Sequence, residues 1–523
     1  MRVRRRAAAL FAAILALGIS ACLISRGVDV ENLTVGGSDV ADVQTPVKAH
    51  LVDGSVVAFR HGVHIAHNVV NGRGWRYSPT LRESTLVNVV ALDSVIGMEA
   101  FRTHVNAGRT VVFSALMTSA LLVGTVTAIC ISDPKCFGSC PTFYSDSAGV
   151  AVLEAEGFSY SISPLLEARD VDRLRAQPDS AGVLRLQVWN EALETHYINQ
   201  LELLESVHAR DEMVLPDERA RPVAVRHLTT PTTITDRTGR DVRASLAGAG
   251  DGVIFTTDSA RLARATAEDP NDYLDLRFPN PRRGDSIAVV LRMRNSLLNT
   301  VLFYDLMLAK PGARSLDWMT NDLQRIGPTL DLGRWYASYL GMRVSIEEHG
   351  RWRQVARLSD YGPIAWRDVA AIIPTPDGDS VHLRLEFLAD QWRIDRVAIG
   401  DDVRRPRTRT VQLEAVTNAE GDAEPQALEQ LRRADDRYLE TTPPQRFSIA
   451  FDVGASPRDS SRTFFIASQG YYTEWVRGSW MMGVRDTTTF KPGKNALNHV
   501  LHLWATQKDT LEKSFYRTRI PVR

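Results

Sequence analysis

Apolar residues recur at every second position in several long stretches of this chain, and a period of two constrains those stretches to β-strand. VLRLQVWN (183–190) sets Leu184, Leu186 and Val188 against Arg185 and Gln187, and a turn leads on into THYINQLELLESV (195–207). The two read as a hairpin with one buried face. SVHLRLEFL puts Val381, Leu383, Leu385 and Phe387 on one face and His382, Arg384 and Glu386 on the other. RVSIEE and RWRQVARL flank His349-Gly350, which reads as the turn between them. Between these β segments, NSLLNTVLFYDLMLAK (295–310) and SLDWMTNDLQRIG (315–327) carry apolar residues at helical spacing, the first ending before Pro311-Gly312. The expected fold class is therefore mainly β with inserted helices. At 523 residues the chain is too long for one core, so several units are expected: a small β-barrel or meander, an apolar helix, then β-sandwich units.

The amino terminus carries an address. MRVRRR is a cationic region, AAALFAAILALG an apolar one, and Ile19-Ser20-Ala21-Cys22 stands where a signal peptidase would cut. The small residues before Cys22 resemble the lipobox of bacterial lipoproteins. That resemblance implies cleavage before Cys22, lipid on its thiol and new amino group and, with no Asp after it, transfer to the outer membrane, the inner membrane being the alternative. Residues 23–44 are polar and aperiodic and read as a tether. From 45 to 110 a small β domain is expected, with Asp53-Gly54 and Asn71-Gly72 as turns. KAHLVDGSVVAFRHGVHIAHNVVNGRGWRY and VVALDSV resemble a small β domain of bacterial envelope proteins, and that likeness implies no activity.

Residues 111–132 contain no charge and, at about 1.5 Å per residue, are just long enough to cross a bilayer as a helix. Arg102 and Arg109 before the run oppose that orientation in an exported chain, and several Ser and Thr residues dilute it. A membrane-inserted helix and an apolar helix buried in the protein both remain open. Beyond it the expected divisions are a β-rich domain (133–292), a helical insertion (293–332), a β-sandwich (333–408) and a β-rich carboxy-terminal domain (409–523). The sandwich resembles the jelly roll of galactose-binding-like domains through the order RVSIEEHGRWRQVARL, IAWRDVAAIIP, DSVHLRLEFLADQWRIDRVAI. Such domains bind sugars, mediate adhesion or act as spacers, so the shape supplies no function by itself. Two stretches, 228–254 and 413–439, each run from a polar strand-like start through an acidic turn to a short helix-like stretch, and each precedes an apolar strand. They hint at an internal duplication. SCPTFY, WNEALETHYINQLEL and QWRIDRVAI resemble an uncharacterised family of bacterial envelope lipoproteins whose members carry no established activity.

Chemistry is sparse. Three of the four cysteines, Cys130, Cys136 and Cys140, crowd together after the apolar run, with spacings that match neither paired zinc ligands nor a Cys-x-x-Cys redox centre. Outside the cytoplasm the expectation is a disulfide from Cys140 to Cys136 or Cys130. His61, His64 and His67 fall three apart, which in a strand sends neighbours to opposite faces, so no metal site is expected there. The aromatic cluster GYYTEWVRGSW (470–480) reads first as core aromatics on a buried strand, and second as a sugar-stacking or partner surface. Lys plus Arg equals Asp plus Glu at 62 each, so no overall field draws nucleic acid. No nucleophile elbow, zincin motif or phosphate loop is present, and no cofactor is expected. The functional expectation is a non-catalytic, lipid-anchored envelope protein whose β-sandwiches meet a glycan or protein partner. Two alternatives stand beside it: a hydrolase of envelope polymers with accessory β domains, and a membrane-integrated assembly component built on residues 111–132.

Overall fold

The structure is a computed structural model that describes residues 26–105 and 140–517, apart from short intervening stretches of which the longest is 475–488. The signal segment with Cys22, the apolar run 111–132, Cys130 and Cys136 lie outside the described residues. Among the described residues no helix is long and apolar enough to cross a membrane.

The first sheet has eight strands: β1 (Arg26–Asn32), β2 (Ala41–Val43), β3 (Val47–Leu51), β4 (Val56–Phe59), β5 (Val63–Ala66), β6 (Val69–Tyr77), β7 (Ser84–Ala91) and β8 (Val95–Val105). Strand β1 falls within the expected tether and pairs with β8 along its whole length, so the β domain begins earlier than composition implied. Asn71-Gly72 is not a turn but lies inside β6; the chain reverses at His67 and Asn68, both with positive φ (51° and 62°). The glycine serves packing instead, because a Cβ at Gly72 would stand only 3.0 Å from the Phe59 ring and 2.9 Å from the Gly62 carbonyl. His61, His64 and His67 are all exposed.

The remaining strands come in four runs. They are β9 (Thr142–Ser147), β10 (Val150–Glu156), β11 (Ala168–Arg173), β12 (Val183–Trp189) and β13 (Glu194–His208). Next come β14 (Met213–Pro216), β15 (Pro222–Thr229), β16 (Thr233–Asp236), β17 (Asn271–Pro279) and β18 (Ser286–Asn295). After helical segments follow β19 (Met342–Glu348), β20 (Arg351–Leu358), β21 (Arg367–Pro374), β22 (Ser380–Leu388) and β23 (Trp392–Arg404). The last run is β24 (Arg407–Val411), β25 (Ala415–Thr417), β26 (Leu439–Thr441), β27 (Arg446–Asp452) and β28 (Ser461–Glu474).

These strands make two sandwiches. Sheets β25-β27-β12-β9-β10 and β24-β13-β28-β11 face each other over a core that includes Phe143, Leu186, Leu203, Phe451 and Phe464. Sheets β16-β17-β22-β19-β20 and β14-β15-β23-β18-β21 share a second core with Leu276, Val289, Val344, Leu385 and Ile399. The alternation in β22 is borne out: Val381, Leu383, Leu385 and Phe387 are fully buried, each contributing about 1.5–3 kcal/mol of apolar transfer. His349 and Gly350 (φ 52° and 72°) form the tight turn between β19 and β20. The hairpin expected over 183–207 does not form. β12 pairs with β9 and β27, whereas β13 pairs with β28, β24 and β26 in the facing sheet. The turn between them is a corner of the sandwich, held by the Asn190 amide donating to the carbonyls of Glu194 and Thr441 (both 2.9 Å).

The order of strands discloses a duplication. Strand for strand, β25-β27-β12-β9-β10 matches β16-β17-β22-β19-β20, and β24-β13-β28-β11 matches β15-β23-β18-β21. Bulges coincide too: the β13–β28 ladder skips Asn199 where β23–β18 skips Asp395, and β10 bulges at Glu154 where β20 bulges at Val355. The turns after β16 and β25 are alike, each closed by a glycine amide (Gly239 to Asp236 O, 2.9 Å; Gly421 to Asn418 O, 3.2 Å). The chain therefore contains two units, Thr142–Asn295 and Met342–Glu474, and each sandwich takes the first half of one unit and the second half of the other. Sheet pairing thus divides the chain differently from the boundaries expected at 133–292, 333–408 and 409–523. The second sandwich is inserted whole between β13 and β24.

Helices follow each unit. Helix α1 (Leu298–Val301) continues as a wider i to i+5 spiral (Leu302–Ala309), short turns cover Arg314–Asp317 and Trp318–Asp322, and α2 spans Ile326–Tyr339. Helix α3 (Pro425–Leu431) lies within the second unit and α4 (Lys494–Arg517) after it. Leu298, Met307, Trp318, Leu497 and Trp504 join these helices in one apolar core.

Candidate functional site

A cavity of about 240 Å³ opens where the helical core meets both units. Its wall draws on equivalent places: the loop after β10, the loop after β20, the end of β18 and the far part of β28, roofed by α1 and α2. Cys140 and Gly341 precede β9 and β19 at equivalent places. Cys140 lines the wall, and the Gly341 amide donates to Asp360 Oδ1 (3.2 Å).

Two carboxylates stand on this wall. Glu156, at the end of β10, is fully buried, and its Oε2 accepts from the amides of Ile364 (2.9 Å) and Ala365 (3.3 Å) in the opposite unit. Gly362 makes that reach possible, since a Cβ there would fall inside the Glu156 carboxyl group. Asp360 Oδ1 gathers the Gly341 amide, the Gln391 side-chain amide and, at 3.5 Å, Asn295 Nδ2. Asn295 also accepts from the Tyr361 amide (2.6 Å), tying the loop to the end of β18. Burial pushes the Asp360 carboxyl up to about 6, against the pull of its hydrogen bonds and of the Arg357 charge.

The remaining wall is rich in rings, among them Phe303, Tyr336, Tyr361 and Tyr472. Among the described residues, none that lines the cavity is Lys, Arg or His. The nearby Arg367 lies behind Tyr361, its guanidinium 4.8 Å from the ring centre, and is committed to Asp170 (2.7 Å), Asp172 (2.8 Å) and the Glu156 carbonyl (2.6 Å). Burial pushes the Asp172 carboxyl up despite the Arg367 charge beside it. Tyr304, also on the wall, donates to Glu474 (2.5 Å), and His196 Nε2 meets Glu194 (2.8 Å), both pairs buried.

Of the residues singled out from sequence, Cys140 and Tyr472 belong to this place. Cys140 is buried and forms no disulfide among the described residues, its expected partners Cys130 and Cys136 lying outside them; burial first, and then the charges of Glu156 and Glu194, push its thiol well up. Of the aromatic cluster, Tyr471 and Tyr472 are buried on β28, Tyr472 facing the cavity, and 475–480 lie outside the described residues. Among the described residues no group of three or more His, Cys, Asp and Glu is arranged to hold a metal ion. Sequence reading missed Glu156 and Asp360. Among 62 acidic residues neither stands out, and the strand-end context Glu-Ala-Glu-Gly reads equally well as a solvated edge.

No family model matches the chain, and no curated protein matches it. Among solved structures it is similar to a GH31 alpha-xylosidase from Xanthomonas citri, with 8% identity, a TM-score of 0.16, and coverage of 83% of this chain and 38% of that one. It is also similar to a cycloalternan-forming enzyme from Listeria monocytogenes in complex with a pentasaccharide substrate, with 8% identity, a TM-score of 0.17, and coverage of 71% and 30%. The chain thus spans 38% and 30% of those chains, and likeness at such scores carries no argument.

Proposed function

We propose that this chain is a non-catalytic ligand-binding protein of the bacterial cell envelope, with the ligand held in the cavity between the two units. The observation that carries this reading is the cavity itself: about 240 Å³, lined by several aromatic side chains and bearing two carboxylates, one at the end of β10 and one just after the equivalent β20. Ligand sites commonly combine an apolar, aromatic lining with a few placed polar groups. The sandwiches then act as the rigid frame, and their outer surfaces are where a glycan or protein partner would meet it. The cationic and apolar amino terminus with Cys22 supports a lipid anchor, and palmitate labelling that persists in Cys22→Ala would refute that part.

Gly333 offers the test. It lines the cavity from the exposed side, on α2, and a Cβ there meets nothing within 4 Å, so Gly333→Trp adds bulk at the opening without displacing backbone. Saccharides, amines, amino acids and fatty acids are screened for a rise in unfolding temperature. A ligand of this site raises it in the wild type and not in Gly333→Trp. Should every ligand act equally on both, the cavity is not the binding site.

One observation favours a second reading. Asp360, with a pKa near 6, is suited to proton transfer around neutral pH, and Glu156 shares its cavity. Turnover of chromogenic glycosides or esters that disappears in Asp360→Asn would make the protein a hydrolase.

A further inference from the structure

We propose that the cavity receives a small organic cation, an amine or quaternary ammonium group on a compact apolar body. This rests on the binding reading above and names its ligand class.

Three features of the wall converge on positive charge. Glu156 and Asp360 bring two carboxylates, and no basic side chain among the described lining residues offsets them. Arg367 is spent on Asp170 and Asp172 and lies behind the Tyr361 ring, and Arg357 donates to the Leu340 carbonyl. The rings of Phe303, Tyr336, Tyr361 and Tyr472 supply the aromatic surroundings in which ammonium groups are held by the negative faces of π systems. Finally, the hydrogen-bonding capacity left over includes a pure acceptor, beside the Ser159 hydroxyl, which can accept or donate. The Asn299 side chain donates to Asp360, while its Oδ1 is buried and without a hydrogen-bond partner among the described residues. A buried acceptor left unmatched is costly, so the fitting ligand brings N–H or N⁺–CH groups to it.

Other ligand classes fit less well. An anion would face two carboxylates, and an acyl chain would desolvate both without adding a positive charge beside them. A neutral saccharide needs donors as well as acceptors from the wall; the hydroxyls of Ser159, Ser296, Thr300 and the tyrosines can donate, but they do not answer the two carboxylates as a cation would.

The experiment is calorimetric titration of the full chain with two cations and their neutral isosteres: choline against 3,3-dimethylbutan-1-ol, and benzylamine against benzyl alcohol. N-acetylglucosamine is the neutral saccharide. At least one cation is expected to bind tenfold or more tightly than its isostere. Asp360→Asn or Glu156→Gln should lower that preference tenfold or more, read as the ratio of cation to alcohol affinity within the variant, and Gly333→Trp should abolish binding of both. If neither cation is preferred, or if the preference survives both Asp360→Asn and Glu156→Gln, the cation assignment is overturned. Saccharide binding lost in Gly333→Trp, without any cation preference, would reject the cation and keep the binding reading. Absence of any cavity ligand in this titration and in the unfolding-temperature screen would reject both.

Discussion

Asp360 shows how one carboxylate can be both supported and penalised. Amide groups from Gly341, Asn295 and Gln391 stabilise its charge, yet burial outweighs them and lifts its pKa from 3.8 to about 6. The folded chain therefore binds this proton more tightly than the unfolded chain. Between about pH 4 and pH 6 the native state holds more protons, so stability falls as pH rises through that window and stays lower above it. Asp360→Asn removes the penalty. It is expected to be more stable than the wild type at pH 7, by up to about 3 kcal/mol, with the gain gone near pH 4. Urea midpoints at the two pH values measure this. A variant less stable at pH 7 would show that the hydrogen bonds, and not burial, dominate the site.

At the level of strands, β11 and β21 occupy equivalent positions in the two units and are joined by buried charge. Arg367 at the start of β21 reaches Asp170 and Asp172 on β11, all three almost without solvent contact. Two carboxylates around one guanidinium are tolerated only while the cation is present. Arg367→Met should cost about 3–5 kcal/mol, because it strands both acids in low dielectric. Adding Asp170→Asn and Asp172→Asn should return most of that loss, as read from chemical unfolding. A single variant no less stable than wild type would mean that the acids are already protonated at the pH of the experiment. The same strands illustrate a limit of periodicity. Alternation in β12 marks which side chains are buried, and it does so correctly, yet it says nothing about whether β13 lies beside β12 or across the core from it.

For the molecule as a whole, exchange of halves between units has a covalent cause. The link from β13 to β14 is only Ala209–Glu212, and the corresponding link from β23 to β24 only Arg405–Pro406. Each carries the chain from one sandwich to the other, and neither is long enough to fold the second half of a unit back onto its first. Residues 142–341, expressed alone, should therefore assemble as a dimer that completes its sandwiches between copies. Residues 213–404 contain every strand of the inserted sandwich and should fold as a monomer. Light scattering after size exclusion distinguishes the two. A monomeric, cooperatively folded 142–341 would show that the links do not enforce the exchange.

Much of this protein was legible in its residues. The strand class followed from alternation, the helical insertion from spacing between Asn295 and Gly327, and the β19–β20 turn from His349-Gly350. Those features depend on neighbours within a few positions, where backbone geometry alone dictates which side a residue faces. Even the duplication left a trace, in stretches 228–254 and 413–439, which the structure places at matching positions of the two sandwiches. The cavity left none. Glu156 and Asp360 belong to different units, and Gly362 matters only because a carboxylate from the other unit occupies the space its side chain would take. Local pattern settled what each segment is. Long-range burial and two short links settled which segments meet, because partner choice is governed by contacts that no stretch of sequence contains by itself.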